Sequence, residues 1–441
     1  MMPPNSWDGL NTEKSKELYE RACKVIPVGA SSSARAYPMF DPYPIAFGHG
    51  KGSHFWDVDG NEYVDFVLAY GPLIHGHCPP KILDAVKRQM EKGTMCGQPT
   101  EIGVRTAEKI KRLVPNADFV RFSSTGTEAT MHAIRIARGF TGKDKIVKFE
   151  GGYHGVHDYV LTSIHQVAGS ELAPVTVPES LGMPEGTIRN TIILPWNDLD
   201  IVEKTIKKGA NEIAAVITEP ISMNYGVVPP EEDYLRRLRE ITATYDVLLI
   251  MDEVVTGFRL ALGGAQEYFG VKADLATFAK ALGAGFPIAA ITGKKDIMEM
   301  VRPGAITHMG TYNENPLCVA AAEASMSQLE AGGIEHITKL GNRFLEGIQK
   351  EIEKTRAEAI VQGVGPMLQV YFTKLKKIRN LRDALPPRCD SEKSKRFQKE
   401  LLKRGVYFHP DLFERHFIST AHTEEDVEKA LSAVGEAFRA L

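Results

Sequence analysis

From about residue 70, short apolar runs alternate with stretches of helical periodicity. The runs are Phe119-Val120-Arg121-Phe122, Ile146-Val147-Lys148-Phe149, Thr191-Ile192-Ile193-Leu194, Ile213 to Thr218, Val247 to Met251, Leu275 to Ala279 and Ile288 to Thr292. Seven such runs with helices between them predict a mostly parallel α/β sheet covered on both faces. Before residue 70 the texture differs. A helix is expected over Glu13–Val25, with Thr12 as N-cap and Pro27 closing it. Three strand-like runs follow: Ile45–Phe47, Ser53–Asp57 and Glu62–Phe66, separated by Gly48-His49-Gly50-Lys51-Gly52 and by Asp59-Gly60. Asp-Gly between such runs signals a hairpin. After about residue 320, long charged helices dominate, ending in Thr423–Leu441, whose Glu424-Glu425-Asp426 suits the first turn of a helix. The expected division is an N-terminal segment 1–69, a large domain 70–320 and a smaller α+β domain 321–441.

Composition narrows the class without choosing a function. The 441 residues carry 53 Lys+Arg against 56 Asp+Glu, and that balance argues against a nucleic-acid protein, whose footprint is a basic excess. No apolar stretch is long enough to span a bilayer. The N-terminus lacks a basic start followed by an apolar run, so no signal peptide and a cytoplasmic location are expected. Five scattered cysteines without a CxxC pair indicate neither a zinc ribbon nor a disulfide framework. Asp57, Asp59 and Asn61 alternate as in a calcium loop, but Gly60 falls at the fourth position rather than the sixth. Gly50-Lys51-Gly52 lacks the Ser/Thr of a P-loop. The basic stretch Lys374–Arg382 is either an anion surface or a solvated face beside a loop.

Ligands of an open α/β sheet bind at the carboxyl ends of its strands. Four such ends carry candidates. Ser123-Ser124-Thr125-Gly126-Thr127-Glu128-Ala129 follows the first run and opens a helix, a phosphate cradle or simply an N-cap. Glu150-Gly151-Gly152-Tyr153-His154-Gly155-Val156-His157-Asp158 follows the second; its aromatic could lie against a planar ring, its His154, His157 and Asp158 could hold a metal, or it could be an ordinary loop. Asp252 follows Met251, where a half-buried carboxylate needs a cation or a donor. Lys280 follows Ala279 on a glycine-rich turn; it either snorkels to water or is desolvated into a Schiff-base nucleophile. Lysine, acid, phosphate turn and aromatic together match pyridoxal 5'-phosphate.

At these positions the sequence resembles the class III, fold-type-I aminotransferases, and within them the glutamate-1-semialdehyde aminomutase branch. The matching stretches are Ala69-Tyr70-Gly71-Pro72, Thr125–Ala129, Lys148–Gly155, Glu219-Pro220 with Asn224 and Gly226–Pro230, Asp252–Arg259, Lys280, Gly310-Thr311 with Asn315-Pro316-Leu317, and Ser419–Asp426. The resemblance implies that Lys280 holds the cofactor and shuttles the proton, while Asp252 keeps the pyridine nitrogen protonated. It implies that Tyr153 and Val254 cover the two ring faces, and that Thr125, Gly126 and Thr127 bind the phosphate. It implies that His154, Glu219 and Asn224 belong to the same cofactor site. Thr311 is expected to reach the cofactor of a second subunit, which implies a homodimer.

For the substrate, the resemblance implies Arg35, Tyr70 and Glu414, with Arg35 pairing a carboxylate. The segment Ser170–Thr187 departs from the aminomutase pattern in carrying Pro174, Pro178 and Pro184, and Tyr312-Asn313-Glu314 departs likewise. The expected function is therefore a ping-pong aminotransferase, passing an amino group from an amino acid or amine donor to an oxo acceptor. The alternatives are the intramolecular glutamate-1-semialdehyde 2,1-aminomutase, a racemase or epimerase on the same scaffold, and a catalytically silent relative. A dinucleotide-dependent dehydrogenase is disfavoured, because no GxGxxG follows a strand.

Overall fold

The computed structural model describes residue 7, residues 9–37 and residues 39–441. All seven apolar runs form strands of one sheet: β1 Phe119–Ser123, β2 Lys145–Phe149, β3 Thr191–Leu194, β4 Ile213–Thr218, β5 Leu248–Glu253, β6 Leu275–Phe278 and β7 Ala289–Gly293. Their spatial order is β1-β7-β6-β5-β4-β2-β3. Only β7 runs against its neighbours, pairing antiparallel with β6 and β1. The other six point the same way, so their carboxyl ends share one edge of the sheet.

The central runs are almost wholly apolar because both faces are covered there; Ile213–Thr218 is buried along its whole length. Val147, Val216, Leu249, Met251 and Ala276 enter one buried cluster, whereas Ile146, Ala215, Ile217, Ile250 and Leu275 enter another on the opposite face. Alternation along a strand thus sends successive side chains into two cores, each large aliphatic contributing about 1.5–3 kcal/mol when fully buried. The helix Gly126–Thr141 covers the second face through Ala129, Ala133, Ile134, Ile136 and Ala137.

Several boundaries differ from the sequence reading. β5 continues through Asp252 and Glu253 instead of stopping at Met251, so those two acids point to opposite faces. The first helix ends at Ala22 rather than Val25, and Thr12 caps it without its hydroxyl, which instead meets the Tyr43 hydroxyl at 2.9 Å. The free N–H groups of Lys14 and Ser15 are taken by the Asp59 carboxylate. In the hairpins, the glycine-rich stretch expected as a separator is itself a strand, Phe47–Lys51, paired antiparallel with His54–Asp57. Gly50 is needed there because a Cβ would lie 2.4 Å from the His77 imidazole. The Asp59-Gly60 turn closes as expected, with Gly60 at φ +96°.

In the C-terminal part, Ile360–Val364, Met367–Tyr371 and His416–Phe417 form a three-stranded antiparallel sheet. Val406–Tyr407 pairs in parallel with Val64–Asp65 of the N-terminal hairpins. The last helix, Glu424–Ala440, starts with a capping box between Thr423 and Asp426. The basic stretch Lys374–Arg382 is ion-paired: Lys377 and Arg379 to Glu231, and Arg382 through two nitrogens to Glu150.

One turn is unusual. Leu68, Ala69 and Tyr70 all have left-handed backbone angles (φ 50°, 54° and 68°) and lead into Gly71 at φ 106°. Such conformations cost non-glycine residues about 1–3 kcal/mol each unless the surroundings enforce them. Here the Asp65 carboxylate accepts the N–H groups of Val67 and Leu68, both at 2.9 Å. The fully buried Arg259 donates to the Gly71 carbonyl.

Candidate active site

A cavity of about 360 Å³ opens at the shared edge of the parallel strands. It is lined by residues from the four strand ends singled out in the sequence: Thr125, Gly126 and Thr127 after β1, Tyr153 and His154 after β2, Asp252 and Val254 at β5, and Lys280 after β6. Glu219 and Asn224, which follow β4, complete the wall.

Lys280 opens a short 3-10 turn in a left-handed conformation, φ 41°. The ammonium has no ion-pair partner among the described residues. Desolvation, then the nearby Arg415 guanidinium, push its pKa down from the ordinary lysine value to about 7, although Glu414 and Glu219 pull the other way. A lysine in this state is partly neutral, and therefore nucleophilic, near pH 7.

Asp252 is buried and held by three contacts, which leaves Oδ2 able to accept one more hydrogen bond. Its Oδ2 lies 2.7 Å from His154 Nδ1, and its Oδ1 accepts from the Thr277 hydroxyl at 3.1 Å and the Val254 N–H at 3.0 Å. Thr277 reaches it because β5 and β6 pair Asp252 directly with Thr277. The neighbouring Glu253 points away and takes the N–H groups of Ala265 and Gln266; burial raises its pKa to about 7. His154 faces Asp252, while His157 Nε2 faces the Thr130 hydroxyl at 3.4 Å, so these side chains do not converge as a metal site.

Glu219 organises the wall opposite. Its carboxylate accepts from the Tyr153 N–H at 3.1 Å, the Asn224 amide at 2.8 Å and the Met223 N–H at 3.1 Å. Burial raises its pKa above the ordinary carboxyl value. Tyr153 keeps 39 % of its surface exposed, which leaves ring area toward open space.

The helix Gly126–Thr141 opens with the expected cap, a capping box between Thr125 and Glu128. The Thr125 hydroxyl accepts from Glu128 N–H at 3.2 Å, and the Glu128 carboxylate takes the N–H groups of Ser124 and Thr125. Gly126 and Thr127 are the first helical residues, whose N–H groups have no intrahelical acceptor. Gly155, at φ 102°, lets the second loop lie against this helix start; a Cβ there would be 2.7 Å from Thr127 Oγ1.

The remaining predicted residues lie outside the cavity wall. Thr311 is exposed on a different surface, beside Met95, Cys96 and Gly97. Tyr70 donates its hydroxyl to the Ala34 carbonyl at 2.9 Å, and the guanidinium carbon of Arg35 is 5.7 Å from the Tyr70 ring centre. Glu414 pairs with Arg415 at 2.9 Å. Burial opposes ionisation of Glu414, but Arg415, His409 and Lys280 outweigh it and hold its pKa below the ordinary value. Sequence reading missed Arg415, a buried cation 3.5 Å from Asn224 Oδ1, and its buried Nε has no partner among the described residues. It also missed His409 and Thr277. The signal for the first two was a cluster of charged and imidazole side chains, His409 to His416, interleaved with Leu412 and Phe413.

A doubly covered, mostly parallel sheet with a desolvated lysine, a hydrogen-bonded aspartate and two helix-start N–H groups without an intrahelical acceptor at one edge is the architecture of a fold-type-I α/β enzyme. The family model for aminotransferase class-III matches residues 36–434. A glutamate-1-semialdehyde 2,1-aminomutase from Methanothrix thermoacetophila is 45% identical over 429 residues, covering 97% of each chain. Among solved structures, an omega-transaminase from Sphaerobacter thermophilus superposes with a TM-score of 0.92 at 32% identity, covering 99% of both chains. A glutamate-1-semialdehyde-aminomutase from Pseudomonas aeruginosa PAO1 in complex with PMP gives 0.86 at 26% identity, covering 96% of this chain and 94% of that one. The chain belongs to the class-III aminotransferases, pyridoxal-phosphate-dependent enzymes.

Proposed function

We propose that this enzyme moves an amino group on a small carboxylated substrate, and that its reaction is the 2,1-aminomutation of glutamate-1-semialdehyde. The observation that carries this reading is the 45% identity to an enzyme of that name along 97% of both chains. Intermolecular transfer, the expectation drawn from sequence, thereby becomes the second reading.

The residues fit the cofactor. The cavity offers a partly neutral lysine, a buried carboxylate fixed by three donors, an aromatic face and two open helix-start N–H groups. Pyridoxal phosphate, when bound, supplies an electron sink that stabilises negative charge at the substrate carbon bearing the amino group. Lys280 would hold it covalently, and Lys280 Nζ would take and return the substrate proton. The Asp252 carboxylate would accept a hydrogen bond from the ring nitrogen, with His154 and Thr277 keeping it oriented. Gly126 and Thr127 would bind the phosphate at the positive end of their helix. Tyr153 and Val254 would cover the ring, and Glu219 would keep Tyr153 and Asn224 in place. Arg35 would pair the substrate carboxylate, with Tyr70 and Glu414 beside it. A homodimer, in which Thr311 serves the site of the other subunit, accounts for the exposure of that residue.

Intermolecular ping-pong transfer is favoured by a different observation. The segment Ser170–Thr187 and the residues leading into it are tied down rather than free to close. Glu179 accepts the N–H groups of Ile164, His165 and Gln166, Arg382 donates to the carbonyls of Ala168 and Gly169, and Asn380 donates to Glu171. The likeness to an omega-transaminase points the same way.

The deciding experiment supplies glutamate-1-semialdehyde as sole substrate. Moving its amino group from C2 to C1 yields 5-aminolevulinate, so an aminomutase forms that product with no second amine or oxo acid present. Turnover that starts only when a separate donor and acceptor are added replaces this reading with the intermolecular one.

A further inference from the structure

Three distant parts of the chain meet beside the cavity: Ala34-Arg35, Tyr70 and His409. The Asp411 N–H donates to His409 Nδ1 at 3.2 Å, which leaves the imidazole proton on Nε2. Nε2 lies 3.2 Å from the Tyr70 hydroxyl oxygen and donates to it. The Tyr70 proton is then directed to the Ala34 carbonyl, 2.9 Å away. His409 has little freedom to do otherwise. Its backbone N–H donates to the buried His416 Nε2 at 3.1 Å, and its ring packs edge-on against Phe40 and Tyr70 with centroids at 5.0 and 5.4 Å. Burial lowers its pKa to about 4, so it stays the same neutral donor at neutral pH.

Tyr70 itself is presented by the left-handed turn Leu68–Gly71, held from behind by Asp65 and Arg259. The Arg35 guanidinium sits over the Tyr70 ring. Arg35 forms no ion pair among the described residues, and its approach to the site is defined by the peptide that Tyr70 grips.

We propose that His409 is a positioning residue that acts through Tyr70 to fix the Ala34-Arg35 peptide, and so sets the preference for carboxylated over carboxyl-free amines. This rests on the reading of Arg35 as the carboxylate ligand. A one-directional relay of hydrogen bonds, Asp411 to His409 to Tyr70 to Ala34, removes the freedom that an exposed arginine otherwise loses on binding.

The test measures kcat/KM for two pairs of amines on the holoenzyme: 5-aminolevulinate against 1-aminobutan-2-one, and 3-amino-3-phenylpropanoate against 1-phenylpropylamine. The readout is the ratio of carboxylated to carboxyl-free substrate. Arg35→Ala is expected to cut the ratio at least tenfold. His409→Ala and Tyr70→Phe are expected to cut it roughly three- to tenfold through KM, with kcat within about twofold and cofactor absorbance unchanged in His409→Ala. His409→Gln, whose amide can donate from nearly the same place, is expected to restore the ratio. Arg35→Ala/His409→Ala should fall no further than Arg35→Ala alone. A normal ratio in His409→Ala and Tyr70→Phe beside a collapsed one in Arg35→Ala overturns the positioning role while sparing the reading of Arg35. A ratio unaffected by Arg35→Ala, or near one in the wild-type enzyme for both pairs, overturns both.

Discussion

His154 Nδ1 lies 2.7 Å from Asp252 Oδ2, and both side chains are buried. The carboxylate on which the cofactor's ring nitrogen would rest is thus held by an imidazole from a different strand end. Replacing Asp252 by Asn should lower kcat by about 10²–10³-fold, the scale on which preorganised charge acts in a dry site. His154→Ala should cost about 10–100-fold, as loss of an orienting partner does around metal ligands. Steady-state kinetics on cofactor-saturated variants measures both. Equal and small losses would show that the pair is structural.

Lys280 is expected to capture the cofactor at unusually low pH. Its amine is nucleophilic only when neutral, and burial followed by the Arg415 charge brings its pKa to about 7. The rate at which apoenzyme develops visible absorbance on adding pyridoxal phosphate should therefore rise through about pH 7. Arg415→Gln removes a cation, so the midpoint should move up; Glu414→Gln removes an anion, so it should move down. Lys280→Ala should show neither absorbance nor turnover. A midpoint indifferent to Arg415 contradicts the assigned cause.

Gly155→Ala should damage the phosphate end selectively. Its φ of 102° and the 2.7 Å approach of a Cβ to Thr127 Oγ1 predict a cost of about 1–3 kcal/mol. A lower Tm together with weaker cofactor retention on dialysis is the expected pair of results. An unchanged dialysis profile would separate the loop from the cradle.

Subunit sharing can be tested by complementation. Lys280→Ala and Thr311→Asp homodimers should each be inactive, the second through repulsion of the phosphate. In a hybrid of the proposed dimer, one site would combine Lys280 of one protomer with Thr311 of the other, both intact. Co-expressed chains should regain activity at that single site; silence in purified hybrids would place Thr311 outside the neighbouring site.

The sheet was legible because parallel strands buried on both faces read as short, nearly continuous apolar runs. Lys280 and Asp252 stood out as charges at or beside the ends of such runs. The strand Phe47–Lys51 was not legible: its Gly-His-Gly-Lys sequence has little strand propensity, and its place comes from Phe55 pairing and from His77 packing over Gly50. Thr277 depends on strand register, which no local pattern announces. Arg415 and His409 lie more than a hundred residues from Lys280, between very short strands, and only tertiary contact brings them to the site.

Glu128 has a further consequence for what the helix start can hold. Its carboxylate already covers the amides of Ser124 and Thr125. A ligand with a di- or triphosphate chain would have to evict that anion, against like-charge repulsion. The same capping box that starts the helix therefore leaves the amides of Gly126 and Thr127 as the helix-start groups without an acceptor. A single phosphoryl group meeting those two amides would leave the Glu128 contacts in place, whereas a longer phosphate chain would compete with them.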